Sequence, residues 1–113
     1  MLKTGIIRDD RYMDHQTDEG HPENARRLKA IYEMLDGDDM LGHFTEISPK
    51  LAEDEQTLLI HSPEYLKKIT ATKDRDHCAL TPDTHTCAAS YDTALLAVGG
   101  LFQAISAEKL ITR

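Results

Sequence analysis

The sequence predicts an α/β fold organised on a parallel sheet, with two short strands and about four helices within its 113 residues. Three observations predict it: an apolar run at Gly5-Ile6-Ile7, a helical spacing of Leu28, Ile31, Tyr32 and Leu35, and an alternating run at Phe44-Thr45-Glu46-Ile47. Two strands joined through a helix lie parallel when they share a sheet, and the crossover is right-handed. Parallel sheets are normally covered on both faces and contain more than two strands, because an isolated two-stranded ribbon is marginal in water. The pattern therefore predicts a sheet whose remaining strands and covering helices are not encoded here.

Gly5-Ile6-Ile7 is the first strand, and the polar stretch from Arg8 leads to Gly20-His21-Pro22-Glu23. Loops of roughly 12 to 15 residues without structure of their own are usually functional or disordered, so this one is expected to line a site. Pro22 is expected in the first helical turn, where a missing N–H costs nothing, and Asp36-Gly37 ends that helix. Phe44 to Ile47 is the second strand, closed by Ser48-Pro49. Asp54 to Ile60 reads as a short helix with an acidic start that suits the helix dipole. Ser62 is the expected N-cap of the next helix and Pro63 its first residue, with Tyr65, Leu66 and Ile69 as the apolar face.

Thr70 to Leu80 is polar and is predicted to be irregular. The last helix is expected to begin between Ala88 and Ser90 and to run through Ile105. Its segment Ala94 to Phe102 carries no charge on any side, which predicts a helix enclosed by neighbours. Gly99 and Gly100 each cost about 1 kcal/mol in a helix interior, so they predict a backbone approached closely by another element. Leu110-Ile111 is expected to begin a further strand.

A net charge of -7 repels phosphate backbones, and no basic stripe offsets it, so direct nucleic-acid binding is not expected. Without Trp, and with two Phe and four Tyr, the core must rest on Leu, Ile, Ala and Val. No apolar run approaches the roughly 20 residues that span a bilayer, and no secretory leader is recognisable, so the expected compartment is the cytoplasm. Cys78 and Cys87 are then expected as free thiols.

His77-Cys78 and His85-Thr86-Cys87 place four potential ligands close together, but adjacent residues converge poorly and the spacing lacks a two-thiolate knuckle. Asp14, His15 and His21 form a second candidate group on a loop that does not pre-orient them. The expectation is that neither group binds a metal. No nucleophile–base pair or phosphate-binding glycine loop can be defended from spacing.

The order Gly5-Ile6-Ile7, Asp14-His15, Gly20-His21-Pro22-Glu23 and Arg27-Leu28-Lys29-Ala30-Ile31 resembles the opening of the histone deacetylase family. That family includes acetylpolyamine amidohydrolases and acetoin-utilization proteins. Leu59-Ile60-His61-Ser62-Pro63-Glu64-Tyr65-Leu66, Pro82-Asp83-Thr84, and Ser90-Tyr91 through Gly99-Gly100 continue the resemblance in order. Asn24-Ala25 departs from a common Arg-Pro, and Thr86-Cys87-Ala88-Ala89 from a loop ending in Pro-Gly.

The resemblance implies an arginase-like three-layer sandwich, of which residues 1–113 are the N-terminal portion. It implies zinc-dependent hydrolysis of acetyl-lysine or acetylpolyamine amides, with the metal ligands, the histidine pair and the oxyanion-stabilising tyrosine beyond Arg113. The chain alone is then expected to be inactive and to need no cofactor. By the same resemblance Arg27 and Asp83 are substrate-side residues, at the tunnel floor and at the rim, while His21, Pro22 and Glu23 shape the loop. Two other readings remain: a non-catalytic interaction module docking through the apolar helix 90–105, and a small zinc domain built on His77, Cys78, His85 and Cys87.

Overall fold

A computed structural model of the chain describes residues 4–111. Strand β1 (Thr4–Ile7) leads through a short 3-10 helix at Asp10–Asp14 to helix α1 (Ala25–Leu35), and a second 3-10 turn at Asp38–Met40 leads to strand β2 (Phe44–Ile47). Helices α2 (Asp54–Thr57) and α3 (Pro63–Thr70) follow, then strands β3 (Cys78–Thr81) and β4 (Thr84–Thr86), and finally helix α4 (Ser90–Ile111). The strands β1 and β2 pair in parallel from Thr4 opposite Phe44 to Ile7 opposite Ile47, as the strand–helix–strand order predicts. The class is mixed α/β.

Four local features depart from the sequence expectation. Helix α1 starts at Ala25 rather than in the turn of Pro22, because the Asn24 side chain caps it by accepting from the Arg26 N–H at 3.0 Å. The Asn24 amide also donates to the carbonyls of His21 (2.9 Å) and Pro22 (3.3 Å), which holds Pro22 outside the helix. The long loop contains the Asp10–Asp14 helix, capped by Asp9 accepting from the Arg11 N–H at 2.9 Å. The region expected to be irregular contains half of an antiparallel hairpin, β3–β4, and Leu110-Ile111 continues α4 instead of starting a strand.

Helix α4 crosses the edge of the parallel pair through its two glycines. A Cβ at Gly99 would overlap the Lys50 carbonyl, and one at Gly100 would lie 2.8 Å from the Tyr12 hydroxyl and 2.9 Å from Ile7 Cγ2. The segment after β2 lies directly on the helix, and the Ala52 N–H donates to the Leu95 carbonyl at 3.0 Å. Tyr12 reaches the same helix and donates its hydroxyl to the Leu96 carbonyl at 2.9 Å. A second anchor is Tyr32 of α1, whose buried hydroxyl accepts from the Asp9 N–H (3.2 Å) and donates to the Asp9 carbonyl (3.1 Å). The Arg8 guanidinium lies 4.5 Å from the centre of that ring and pairs with Asp36 at the end of α1 at 2.8 Å.

The core built this way is small. Leu96 is 2% exposed, whereas Leu101 and Ile105 on the same helix are 66% and 50% exposed. Helix α4 is therefore enclosed along one side and open along the other, although its segment from Ala94 to Phe102 carries no charge on any side. The radius of gyration is 16.0 Å, against roughly 13 Å for a compact domain of this length, and the molecule is a slab of 44 × 34 × 19 Å.

Two predictions follow from these contacts. Gly99→Ala gains helix propensity but must displace the Lys50 backbone, so urea denaturation should show a net loss of about 1–3 kcal/mol, the usual cost of overpacking. Hydrogen bonds from the Arg11 side chain and backbone hold the Asp9 carboxyl down to about 2. Its contribution to stability is then present above the ordinary carboxyl range, near 3.8, and is lost as pH falls toward about 2. A carboxyl-carbon NMR titration should place the Asp9 midpoint near that lower value, and Asp9→Asn should remove this part of the acid transition.

Candidate functional site

The loop before α1, the β3–β4 hairpin and the start of α4 meet around a cleft of about 420 Å³. Its walls include His15, His21, Asp83, His85, Ser90 and Tyr91. Gly20 turns the loop into place: its φ of +82° is left-handed backbone that glycine adopts without strain, and the His21 N–H closes the turn on the Asp18 carbonyl at 3.0 Å. His21 then spans the gap between loop and hairpin. Its Nδ1 accepts from the Glu23 N–H at 3.0 Å, so the ring proton is on Nε2 and is donated to the Asp83 carbonyl at 3.0 Å.

Asp83 stands at the hairpin tip with its side chain exposed, and its N–H donates to Thr81 Oγ1 at 3.3 Å. Arg27 projects from the first turns of α1, pairs with Glu23 at 2.5 Å, and lines a separate hollow of about 210 Å³ with Tyr12 and Leu28. His15 and Glu23 line both spaces, so Asp83 and Arg27 lie on opposite sides of one partition. Pro22 lies between His21 and Glu23 outside the helix, and a proline at that position disfavours helical backbone at His21.

A second network joins the loop to the start of α4. The Ser90 hydroxyl accepts from the Cys87 N–H at 2.8 Å, meets His15 Nδ1 at 2.6 Å and donates to Cys87 Sγ at 3.4 Å. Cys87 Sγ also accepts from the Gln16 N–H at 3.2 Å. Burial pushes the Cys87 thiol up, but hydrogen bonds from Ser90, Gln16 and Ala89 outweigh it and leave the thiol more acidic than usual. Asp14 takes part through its carbonyl rather than its carboxylate.

The sequence groupings of possible metal ligands are rearranged in space. His77 and His85 do converge, but on Asp18, with ligand atoms all within 4.8 Å of one another, and neither Cys78 nor Cys87 belongs to that group. Asp18 carries no signal in a linear scan, since it is one of many loop carboxylates. The turn closed by Gly20 is what aims it at the hairpin. Ser90, too, stands out in the sequence only as lying at the start of the last helix, and its contacts with His15 and Cys87 are made by the fold.

The chain matches the histone deacetylase domain model over residues 21–111 and belongs to the histone deacetylase family. Among curated relatives it is 31% identical to histone deacetylase HDA1 of Candida albicans, over 94% of this chain and 16% of that protein. It is 29% identical to acetoin utilization protein AcuC of Bacillus subtilis, over 82% of this chain and 25% of that protein. It is 30% identical to histone deacetylase 8 of Arabidopsis thaliana, over 77% of this chain and 26% of that protein. The crystal structure of the HDA15 HD domain superposes with a TM-score of 0.77 at 24% identity, over 86% of this chain and 29% of that one, and shares its fold. The chain thus spans between 16% and 26% of the length of these curated relatives.

Alkylation tests the hydrogen bonds at Cys87. Ser90→Ala removes the hydroxyl donor to the sulfur, so iodoacetamide labelling of Cys87 near neutral pH should slow several-fold, read by mass spectrometry of the labelled peptide.

Proposed function

We propose that this chain is the N-terminal portion of a zinc-dependent deacetylase domain that hydrolyses acetyl-lysine or acetylpolyamine amides, and that it has no turnover by itself. The observation that carries the reading is the open side of α4. A helix without charge from Ala94 to Phe102 leaves Leu101 66% and Ile105 50% exposed, which in a complete domain would be covered by further elements. Family membership supports the deacetylase chemistry, and the small share of each relative that is matched supports the partial domain.

The residues described here do not fit the family's catalytic zinc. The resemblance assigns that ion to an Asp-X-His and an Asp farther along, with a histidine pair beside them; residues 1–113 contain no His-His pair, and their one Asp-X-His sequence, Asp83-Thr84-His85, falls in the rim hairpin instead. When bound, the zinc polarises the acetyl carbonyl and its attacking water. What this chain contributes is wall and rim. Asp83, presented at the hairpin tip and steadied through its carbonyl by His21, accepts substrate N–H groups. Arg27 faces the hollow below and holds carboxylate or acetate through paired hydrogen bonds once the remaining domain covers it. His21, Pro22 and Glu23 keep the loop in register with both. The protein's place in this reading is the cytoplasm, and no helix among the described residues is long and apolar enough to cross a membrane.

The exposed face of α4 also favours a second reading, an interaction module docking through helix 90–105. Size-exclusion chromatography with thermal melting separates the two. A partial domain should associate through its apolar face and melt with low cooperativity, while a module should be monodisperse and melt sharply. The 113-residue protein should show no zinc-stimulated turnover of an acetyl-lysine reporter. Coding sequence downstream of Arg113 should specify a His-His pair and then Asp-X-His. Turnover by the chain alone, or a downstream sequence without those residues, would overturn the proposal.

A further inference from the structure

We infer that Asp18, His77 and His85 form a divalent transition-metal site, of the kind zinc takes, that clasps the loop before α1 to the β3–β4 hairpin. His85 carries the argument. Its Nε2 lies 2.8 Å from the Pro82 carbonyl, which can only accept, so Nε2 holds the ring proton. In the neutral ring Nδ1 is then a bare lone pair. That atom is buried and makes no hydrogen bond of proper geometry, although Asp18 Oδ2 is 2.9 Å away. Two acceptors face each other at that distance, and a cation between them turns the repulsion into attraction.

The third group completes the set. His77 Nε2 approaches the other carboxylate oxygen, Asp18 Oδ1, at 3.0 Å, and its ring meets that of His85 edge-on at 5.4 Å between centroids. All three ligand atoms lie within 4.8 Å of one another, against about 3.3 Å for the edges of a tetrahedron with ~2.0 Å bonds, so small side-chain rotations close the site. A backbone carbonyl on the far nitrogen of a ligating imidazole is the usual device for fixing its tautomer, and Pro82 supplies it to His85. His21, with its ring 5.0 Å from His85, is excluded as a ligand because both of its nitrogens are occupied.

Two imidazoles and one carboxylate suit zinc and its neighbours rather than magnesium or calcium, and water fills the fourth position. Bound there, the ion joins residues 18, 77 and 85 and so ties the loop before α1 to the β3–β4 hairpin. The inference rests on these three side chains and not on the deacetylase reading.

The test is titration of reduced 113-residue protein with Zn²⁺ against a chromophoric chelator, with Co²⁺ as the spectroscopic probe. The expected result is one ion per chain, visible cobalt d–d bands and no sulfur-to-metal charge-transfer band. Asp18→Asn and His77→Gln alter exposed side chains and leave the fold intact; each should weaken Zn²⁺ at least about tenfold, since even outer-shell changes cost that much. Cys78→Ser with Cys87→Ser should leave affinity unchanged. Failure to compete with the chelator, a thiolate band, equal preference for Mg²⁺, or unchanged affinity in the Asp18 and His77 variants would overturn the site. These readouts involve no acetylated substrate, so they fail or succeed independently of the proposed deacetylase activity.

Discussion

The crossing of the Lys50 backbone over Gly99, with Tyr12 and Ile7 set against Gly100 beside it, is the contact on which the rest of the structure depends. It joins the longest helix to the end of the parallel strand pair at a distance that no side chain on either glycine would permit. The Ala52-to-Leu95 and Tyr12-to-Leu96 hydrogen bonds then lock the approach from both sides. Gly99 and Gly100 weaken the helix locally by about 1 kcal/mol each, and the close backbone packing offsets that cost. Without the crossing, β1–β2 would be an isolated two-stranded ribbon, which has little stability of its own.

Because α4 is seated by this crossing, its start is held against the long loop and the hairpin. Ser90 and Cys87 tie α4 to His15 and Gln16, while His21 ties the loop to Asp83. The loop that follows β1 is thus organised by partners far along the chain, at sequence separations of 62 to 75 residues. Its functional geometry is a tertiary property. The same constraint leaves the far side of α4 open, and that exposed apolar strip and the thin slab shape have one origin: a helix made for burial on all sides meets protein on only one.

Much of the architecture was legible in order and spacing. Strands at Gly5–Ile7 and Phe44–Ile47, the Ser62-Pro63 helix start, and the apolar helix from Ser90 stand where the sequence places them, because each is governed by short-range periodicity or by a local cap. The histone deacetylase resemblance was legible for the same reason, since its motifs are contiguous. The β3–β4 hairpin was not, because Cys78 to Thr86 is polar, lacks sustained alternation and contains a register irregularity between Ala79 and Thr81. The onset of α1 was displaced because Pro22 and Asn24 are both plausible start signals, and the Asn24 side chain competes more effectively by accepting the Arg26 N–H.

By itself, then, the sequence determined the α/β class, the parallel pairing, the need for close packing at Gly99 and Gly100, and the family. Those depend on neighbours within a few residues or on hydrophobic period. Only the tertiary structure decided that Asp18 meets His77 and His85, that His21 bonds the Asp83 carbonyl, and that Arg27 faces a different hollow from Asp83. The physical reason is that loop side chains have no period to read. Their directions are set by one glycine turn and by the seating of a helix some 70 residues away, and neither exists until the chain has folded.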